Sequence, residues 1–410
     1  MKKACLIILA TVLLAGVVII GCAAPSPAPS TAPSPALTPA PESIKIGIPI
    51  SRTGFDAAVG GPSKDGYELG VAKINQDGGV YVKEFDKRIP LELLFLEMES
   101  NPDKAIARAE ELHSQYNVPV ACGTTMISAA AEIFEKNRLP VITAAQTVSE
   151  LNERGYRYWF TIDAINRDIA PVVVQGFDGL PQNARPQKWA IFEEQLAFVV
   201  ELCGFVEEAA TAKGYEIVYE GQYATMTRDL RPLIMEAKKA GAEVVFCSAN
   251  PPDGITLVKQ IKEVGYTPKA VFIIRGCDDP AWGLLGETGE YIMGNLFWSS
   301  TLKFPGNEEL IAAYKAKFNN RMPHPLNGSA YASIQVVADA IERAGALDRD
   351  KIRDAMAATD LMTVKGQIKF RPDNSVMDPV YMLGQWQNKV MEIVWPDALK
   401  TKPLIYPIPW

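Results

Sequence analysis

Two runs of strand-like apolar segments alternating with amphipathic helices, separated by a break around Ile162 to Asn166, constrain this chain more than any other feature. In the first run IKIGIPI (44–50) is followed by a polar, glycine-containing loop and a helix from about Pro62 to Asn75. LELLFLEM (91–98) then leads to a helix over 102–115, VPVAC (118–122) leads to a helix over 127–137, and LPVIT (139–143) follows. In the second run KWAIFE (188–193), YEIVYEGQY (215–223) and AEVVFCS (242–248) each precede a helical segment, and AVFII (270–274) ends the series. Continuous apolar strands joined through helices require parallel sheets covered on both faces. The predicted fold class is therefore α/β, with two similar doubly wound, Rossmann-like lobes. The tail carries a long helix over 331–345, a short one near Asp350–Ala358, and then IKF, VYMLGQW and VMEIVW. These last alternate as antiparallel strands, with Trp386 and Trp395 as packing residues.

The amino end follows other rules. Met1, Lys2 and Lys3 precede an apolar run from Ala4 to Ile20, then Gly21 and Cys22. A positive start, a short apolar stretch and a small residue before the cut predict a signal peptide over 1–21. A membrane span of about 17 to 25 apolar residues is the alternative. The tetrad Ile19, Ile20, Gly21, Cys22 favours processing, because it resembles the bacterial lipobox, in which the cysteine thiol carries lipid and the chain is cut before it. Residues 22–43, almost all Ala, Pro, Ser and Thr, read as an extended linker. The expected location is extracytoplasmic, tethered through lipid on Cys22.

The net charge of −7 and the lack of Lys/Arg clusters give no footprint for nucleic acid. Past Cys22 stand Cys122, Cys203, Cys247 and Cys277, without a C-x-x-C pair. They read as free core thiols, although Cys247 and Cys277, each ending a strand-like run, could be neighbours. His113 and His324 are the only histidines and read as surface or loop residues; no nucleophile-elbow, zinc or phosphate-loop motif is present. No enzyme activity, catalytic residue, metal or cofactor is expected. Asn327, Gly328 and Ser329 match a glycosylation sequon by chance.

The remaining candidates are loops at the carboxyl ends of parallel strands, where open α/β sheets place ligands. Three are rich in small hydroxyls and glycine: SRTGFDAAVGG (51–61), GTTMIS (123–128) and TAAQT (143–147). Each leads toward or lies beside a helix amino terminus, whose free N–H groups suit an anion. N-capping by Thr125 or Ser128 explains such a loop singly, but explains all three together less well.

These residues carry a resemblance. IKIGIPISRTG, DGYELGVAKINQDGG, NPDKAIARAEEL and CGTTMISAAAEIFEKNRLPVITAAQT, then GYRYWF, YASIQVVADAIERAG and GQIKFRPDN, resemble the leucine/isoleucine/valine-binding protein family over nearly everything after the linker. That family consists of extracytoplasmic receptors of ABC importers with the type I periplasmic-binding fold. The resemblance implies a small-molecule ligand, amino acid or similar, and ABC permease subunits as partners, with no covalent chemistry. It implies a first lobe of 44–164 plus 299–366 and a second of 165–298 plus 367–410. The crossovers would lie near Ala164–Asn166, Trp298–Ser300 and Lys365–Gln367. It carries ligand contacts onto Thr124, Thr125, Ala145, Gln146 and Thr147. The first-loop aromatic falls on Val59, one site tyrosine on Phe198, another near Asn250 or Pro251. The acid that pairs with an amino-acid ammonium falls on Gly276, beside Arg275, Asp278 and Asp279. Either an aspartate substitutes there or the ligand lacks an α-amino group; Arg275 serves either a second acidic group of the ligand or a surface ion pair. A ligand-sensing module for a signalling partner is the rival use of the same fold.

Overall fold

The structure, a computed structural model, describes residues 39–410. The expected signal peptide, Cys22 and the linker as far as Thr38 lie outside the described residues. Among the described residues, no helix is long and apolar enough to cross a membrane.

Five parallel strands form the first sheet, in the order Leu91–Glu97, Ile44–Ile50, Val120–Gly123, Val141–Thr143, Trp159–Thr161. The isoleucines of the second of these, Ile44, Ile46, Ile48 and Ile50, share one face and are all buried; on the other face Gly47 lies under Leu112 of the helix Pro102–Ser114, so both faces are covered. The helix Ala57–Gln76 packs against the long helix Pro325–Ala344. Gly66 and Gly70 permit that approach: a Cβ on Gly66 would lie 2.5 Å from the Asn327 carbonyl oxygen, and one on Gly70 2.9 Å from Ile334 Cβ.

The second sheet has seven strands, in the order Val390–Trp395, Met382–Gln387, Met293–Leu296, Ala270–Ile274, Val244–Ser248, Lys188–Glu194, Glu216–Tyr223. Its five α/β strands run parallel, and the two carboxyl-terminal strands close one edge antiparallel. Inside it Phe177 packs edge-on against Trp189 and Phe272, and Phe246 meets Phe272 at a tilt. Trp386 is buried, its indole N–H donating to the Cys277 carbonyl at 2.8 Å.

Several boundaries differ from the sequence reading. The first helix begins at Ala57 rather than near Pro62, and Pro62 lies inside it, where its missing N–H takes away the helical partner of the Ala58 carbonyl. The helix expected over 127–137 opens as a 3-10 segment, Thr125–Ala130, before Ala131–Lys136. The parallel series does not stop at Ile274: Met293–Leu296 continues it, and its MGNL sequence carries little strand signal. The third passage between the sheets follows Val376 rather than lying at Lys365–Gln367. Ser375 still pairs with Thr161 of the first sheet, and the second sheet is re-entered only at Met382.

A buried ion pair sits where the passages converge. Lys365, 1% exposed, holds Asp163 at 2.9 Å, and its ammonium also donates to the carbonyls of Phe297 and Val380. Asp163 accepts from Ser329 Oγ and from the Ala145 N–H, both at 2.7 Å. One lysine and one aspartate thereby bind together residues of all three inter-sheet passages and the loop at Ala145.

The four described cysteines are free and buried. Burial pushes the Cys203 and Cys122 thiols far above their ordinary range, and the Cys247 thiol up to about 12. These are inert core thiols.

Candidate ligand-binding site

Strands from both sheets end at one cavity, with about 920 Å³ of empty space including open solvent at its mouth. From the first lobe come Phe55, Asp56, Ala58, Val59, Thr125, Ala145 and Thr147; from the second come Phe198, Leu202, Ser248, Asn250, Ile274, Arg275, Asp278 and Asp279. Asn166, Ile169, Asn295 and Phe297 near the passages, with Pro251, His324 and Leu326, complete the wall.

Of the residues singled out in the sequence, Val59, Thr125, Ala145, Thr147, Phe198, Asn250, Pro251, Arg275, Asp278 and Asp279 meet here. Thr124, Gln146 and Gly276 do not line the cavity. Thr124 and Gln146 are buried behind the wall, the Gln146 side-chain oxygen Oε1 accepting from the Val148 N–H at 3.0 Å. A Cβ on Gly276 would stand 2.7 Å from the Ala249 carbonyl oxygen, so the backbone leaves no room for an acidic side chain at that position.

The loop at Thr125 is not built by side-chain capping, since no cap hydrogen bond closes its helical segment. Thr125 Oγ1 instead donates to the Ala145 carbonyl at 3.2 Å. Ala145 and Arg275 hold left-handed backbone, with φ of 61° and 70°. Such strain in non-glycine residues persists only where the surroundings enforce it. At Ala145 the enforcing contact is Asp163; at Arg275 it is the Asn295 side-chain oxygen, which accepts the Arg275 N–H at 2.7 Å.

Arg275 is neither a surface residue nor a free anion receptor. Its guanidinium pairs with the fully buried carboxylate of Glu194 and lies 4.9 Å from the centre of the Phe198 ring. Glu194 in turn accepts from Asn250 Nδ2 at 3.0 Å, and Asn250 Oδ1 caps the following helix through the Asp253 N–H at 3.0 Å. Glu194, the last residue of its strand, is the member of this unit that the sequence reading missed.

Asp56 was also missed. Its carboxylate is buried on the wall, and desolvation raises its pKa to about 7, opposed only by Arg275. Asp278 is raised to about 7 too, first by desolvation and then by Asp279. His324 corrects an expectation: it is buried, caps the Pro325–Ala344 helix by accepting the Leu326 N–H at 3.1 Å, and burial lowers its pKa to about 4. His113 accepts a hydrogen bond from Arg349 at 2.7 Å, away from the cavity. Asn327 and Ser329 are fully buried, which closes the chance sequon to modification.

Two α/β lobes with a mixed apolar and charged cavity between their strand ends define a receptor that encloses a small molecule. The sequence pattern of the periplasmic binding protein family matches residues 43–390, and the chain belongs to that family. Membership places it among solute-binding receptors that work outside the cytoplasm. It is 25% identical to the Leu/Ile/Val-binding protein homolog 7 of Brucella melitensis, across 88% of this chain and 93% of the relative. Against homolog 8 of Brucella abortus it is 26% identical, across 86% and 91%. The fold matches the branched-chain amino acid transporter substrate binding protein LivJ of Streptococcus pneumoniae, solved in complex with isoleucine, with a TM-score of 0.75 and 21% identity over 86% of this chain and 100% of that one. It matches a solute binding protein of an R. palustris ABC transporter, solved in complex with benzoate, at a TM-score of 0.75 and 16% identity over 86% and 95%.

Proposed function

We propose that the chain is the lipid-anchored receptor of an ABC importer, capturing an amino acid or related small carboxylate between its lobes and presenting the closed form to permease subunits. The supporting observation is the cavity itself, whose wall takes residues from the strand ends of both sheets. A ligand touching both walls binds the closed arrangement better than the open one, and that difference in affinity drives closure. The Phe198, Leu202, Ile169 and Phe297 side chains suit an apolar body. The chemistry required is binding and release, with no bond made or broken.

The lipobox-like Cys22 and the proline-rich arm are assigned a tethering role: several acyl chains hold a protein stably where one does not, and the arm keeps the receptor near its permease. The permease assignment comes from the family resemblance. Mass spectrometry of whatever co-purifies with the full chain, followed by titration of that compound, tests the receptor reading. A stoichiometric small carboxylate or amino acid is expected; a preparation that carries no such compound, and binds none on titration, overturns it. Cys22→Ser should release the protein from membranes, and a variant that stays bound contradicts the anchor.

A further inference from the structure

Three buried polar atoms on the cavity wall have no hydrogen-bond partner among the described residues: Asp56 Oδ2, Asn166 Oδ1 and Arg275 Nε. Two of them are acceptors. The Asn166 amide is oriented by its own contacts, since Nδ2 donates to the Phe198 carbonyl at 2.9 Å and to Glu201 at 2.6 Å, and only its oxygen is left without a partner. The one donor belongs to a side chain whose charge is already met by Glu194.

Asp56 is placed to cap the Ala57–Gln76 helix but does not. The carbonyl oxygen of Asp56 accepts the N–H groups of Val59 and Gly60, both at 3.0 Å, and its own N–H goes to Ser100 Oγ at 3.0 Å. The side chain makes no capping bond and stays on the cavity wall. At 6% exposure this is a carboxylate withdrawn from water without a partner, a cost of several kcal/mol unless a cation joins it. Asp278 and Asp279 line the same cavity from the second lobe, so with the Arg275–Glu194 pair neutral the remaining acidic groups around it are uncompensated.

Building on the receptor reading above, we infer that Asp56 is the counter-ion of an ammonium group on the ligand, replacing the acid that has no room at Gly276. The ligand is thereby a small molecule joining a protonated amine to an apolar body, and an acid without the amine is the weaker partner. Arg275 Nε offers one remaining donor to an oxygen of the same ligand.

Calorimetric titration of the full chain above pH 7, where Asp56 is ionised, with matched probes tests this. The pairs are L-leucine with 4-methylpentanoate and L-phenylalanine with 3-phenylpropionate, together with phenethylamine. Deleting the amine should weaken binding by about 10- to 100-fold, the scale of a charge-assisted contact. Asp56→Asn should lose a similar factor toward the amine-bearing probe and erase the preference. Its ligand-free melting temperature should not fall, an outcome that a merely structural residue would not give. Should Asp56→Asn fold poorly, Asp56→Ser serves as the second variant, and the matched probes on the unaltered chain need no substitution. Deaminated acids binding as tightly as their parents, or an amine preference surviving in the Asp56 variants, overturns the ammonium subsite and leaves the receptor standing. Binding of none of the probes overturns the subsite together with the receptor reading for these compounds.

Discussion

Asp163 and Asp56 are both carboxylates withdrawn from water in the same half of the molecule, and they have opposite surroundings. Asp163 is closed by Lys365, Ser329 and the Ala145 N–H, so its charge is fully used inside the protein. Asp56 has no such partner, and its pKa rises to about 7. The first fixes a geometry, tying the inter-sheet passages to one binding loop. The second stores an unmet interaction that a ligand can satisfy. Burial alone does not distinguish structure from function; whether the group is satisfied does.

Removing one side of the satisfied pair should have the largest effect. Lys365→Met leaves Asp163 buried and unpaired, and is expected to cost about 3–5 kcal/mol in urea unfolding. Adding Asp163→Asn to it should recover part of the loss, because the stranded charge is gone. If Lys365→Met costs nothing, the hub is ornamental and the contrast with Asp56 fails.

At Asp56 the sign reverses. Well below pH 3.8 the carboxyl is protonated in folded and unfolded chains alike and contributes nothing. As pH rises toward 7 the unfolded chain releases this proton while the folded chain keeps it, so the ligand-free protein loses stability across that window. The full penalty, at most about 4 kcal/mol for a shift of this size, is present above it. Asp56→Asn should therefore stabilise the ligand-free chain above pH 7 and flatten that part of its stability profile, read from melting temperatures across pH. A destabilised variant would show that the carboxylate is satisfied after all.

Glu194→Gln tests the intermediate case, a buried carboxylate whose partner is itself on the cavity wall. Losing the charge-assisted bond to Arg275 should cost about 1.5–3 kcal/mol. The freed guanidinium should also bind 3-phenylpropionate better, measured by the same titration. Smallest is Arg371→Gln: its 2.8 Å pair with Asp168 is partly solvated, and a loss below about 1 kcal/mol is expected.

The two regions also differ in how much of them the sequence reveals. Strand and helix alternation is written in local apolar runs, which is why IKIGIPI and AVFII can be placed nearly to the residue. Met293–Leu296 escapes because its burial comes from neighbouring strands rather than from its own composition. In the site, Thr125, Ala145 and Thr147 are legible as strand-end loops. Arg275 is visible, but its partner is not: Glu194 lies far away in the chain, and only the sheet brings the two together. In the sequence Asp56 looks like an ordinary aspartate inside a glycine-containing loop, because the helix it precedes reads as starting only near Pro62. Its role depends on where the backbone N–H groups go, which no local pattern records. His324, flanked by prolines, reads as loop for the same reason, although its ring is a buried cap.

The most direct measurement is the titration of the Asp56 carboxyl by carbon NMR on aspartate-labelled protein, free and saturated with the tightest-binding amine-bearing probe. An unmet carboxylate predicts a ligand-free pKa near 7 that drops into or below the ordinary carboxylate range when the ammonium is bound. A ligand-free pKa already in the ordinary range, unmoved by ligand, would contradict it.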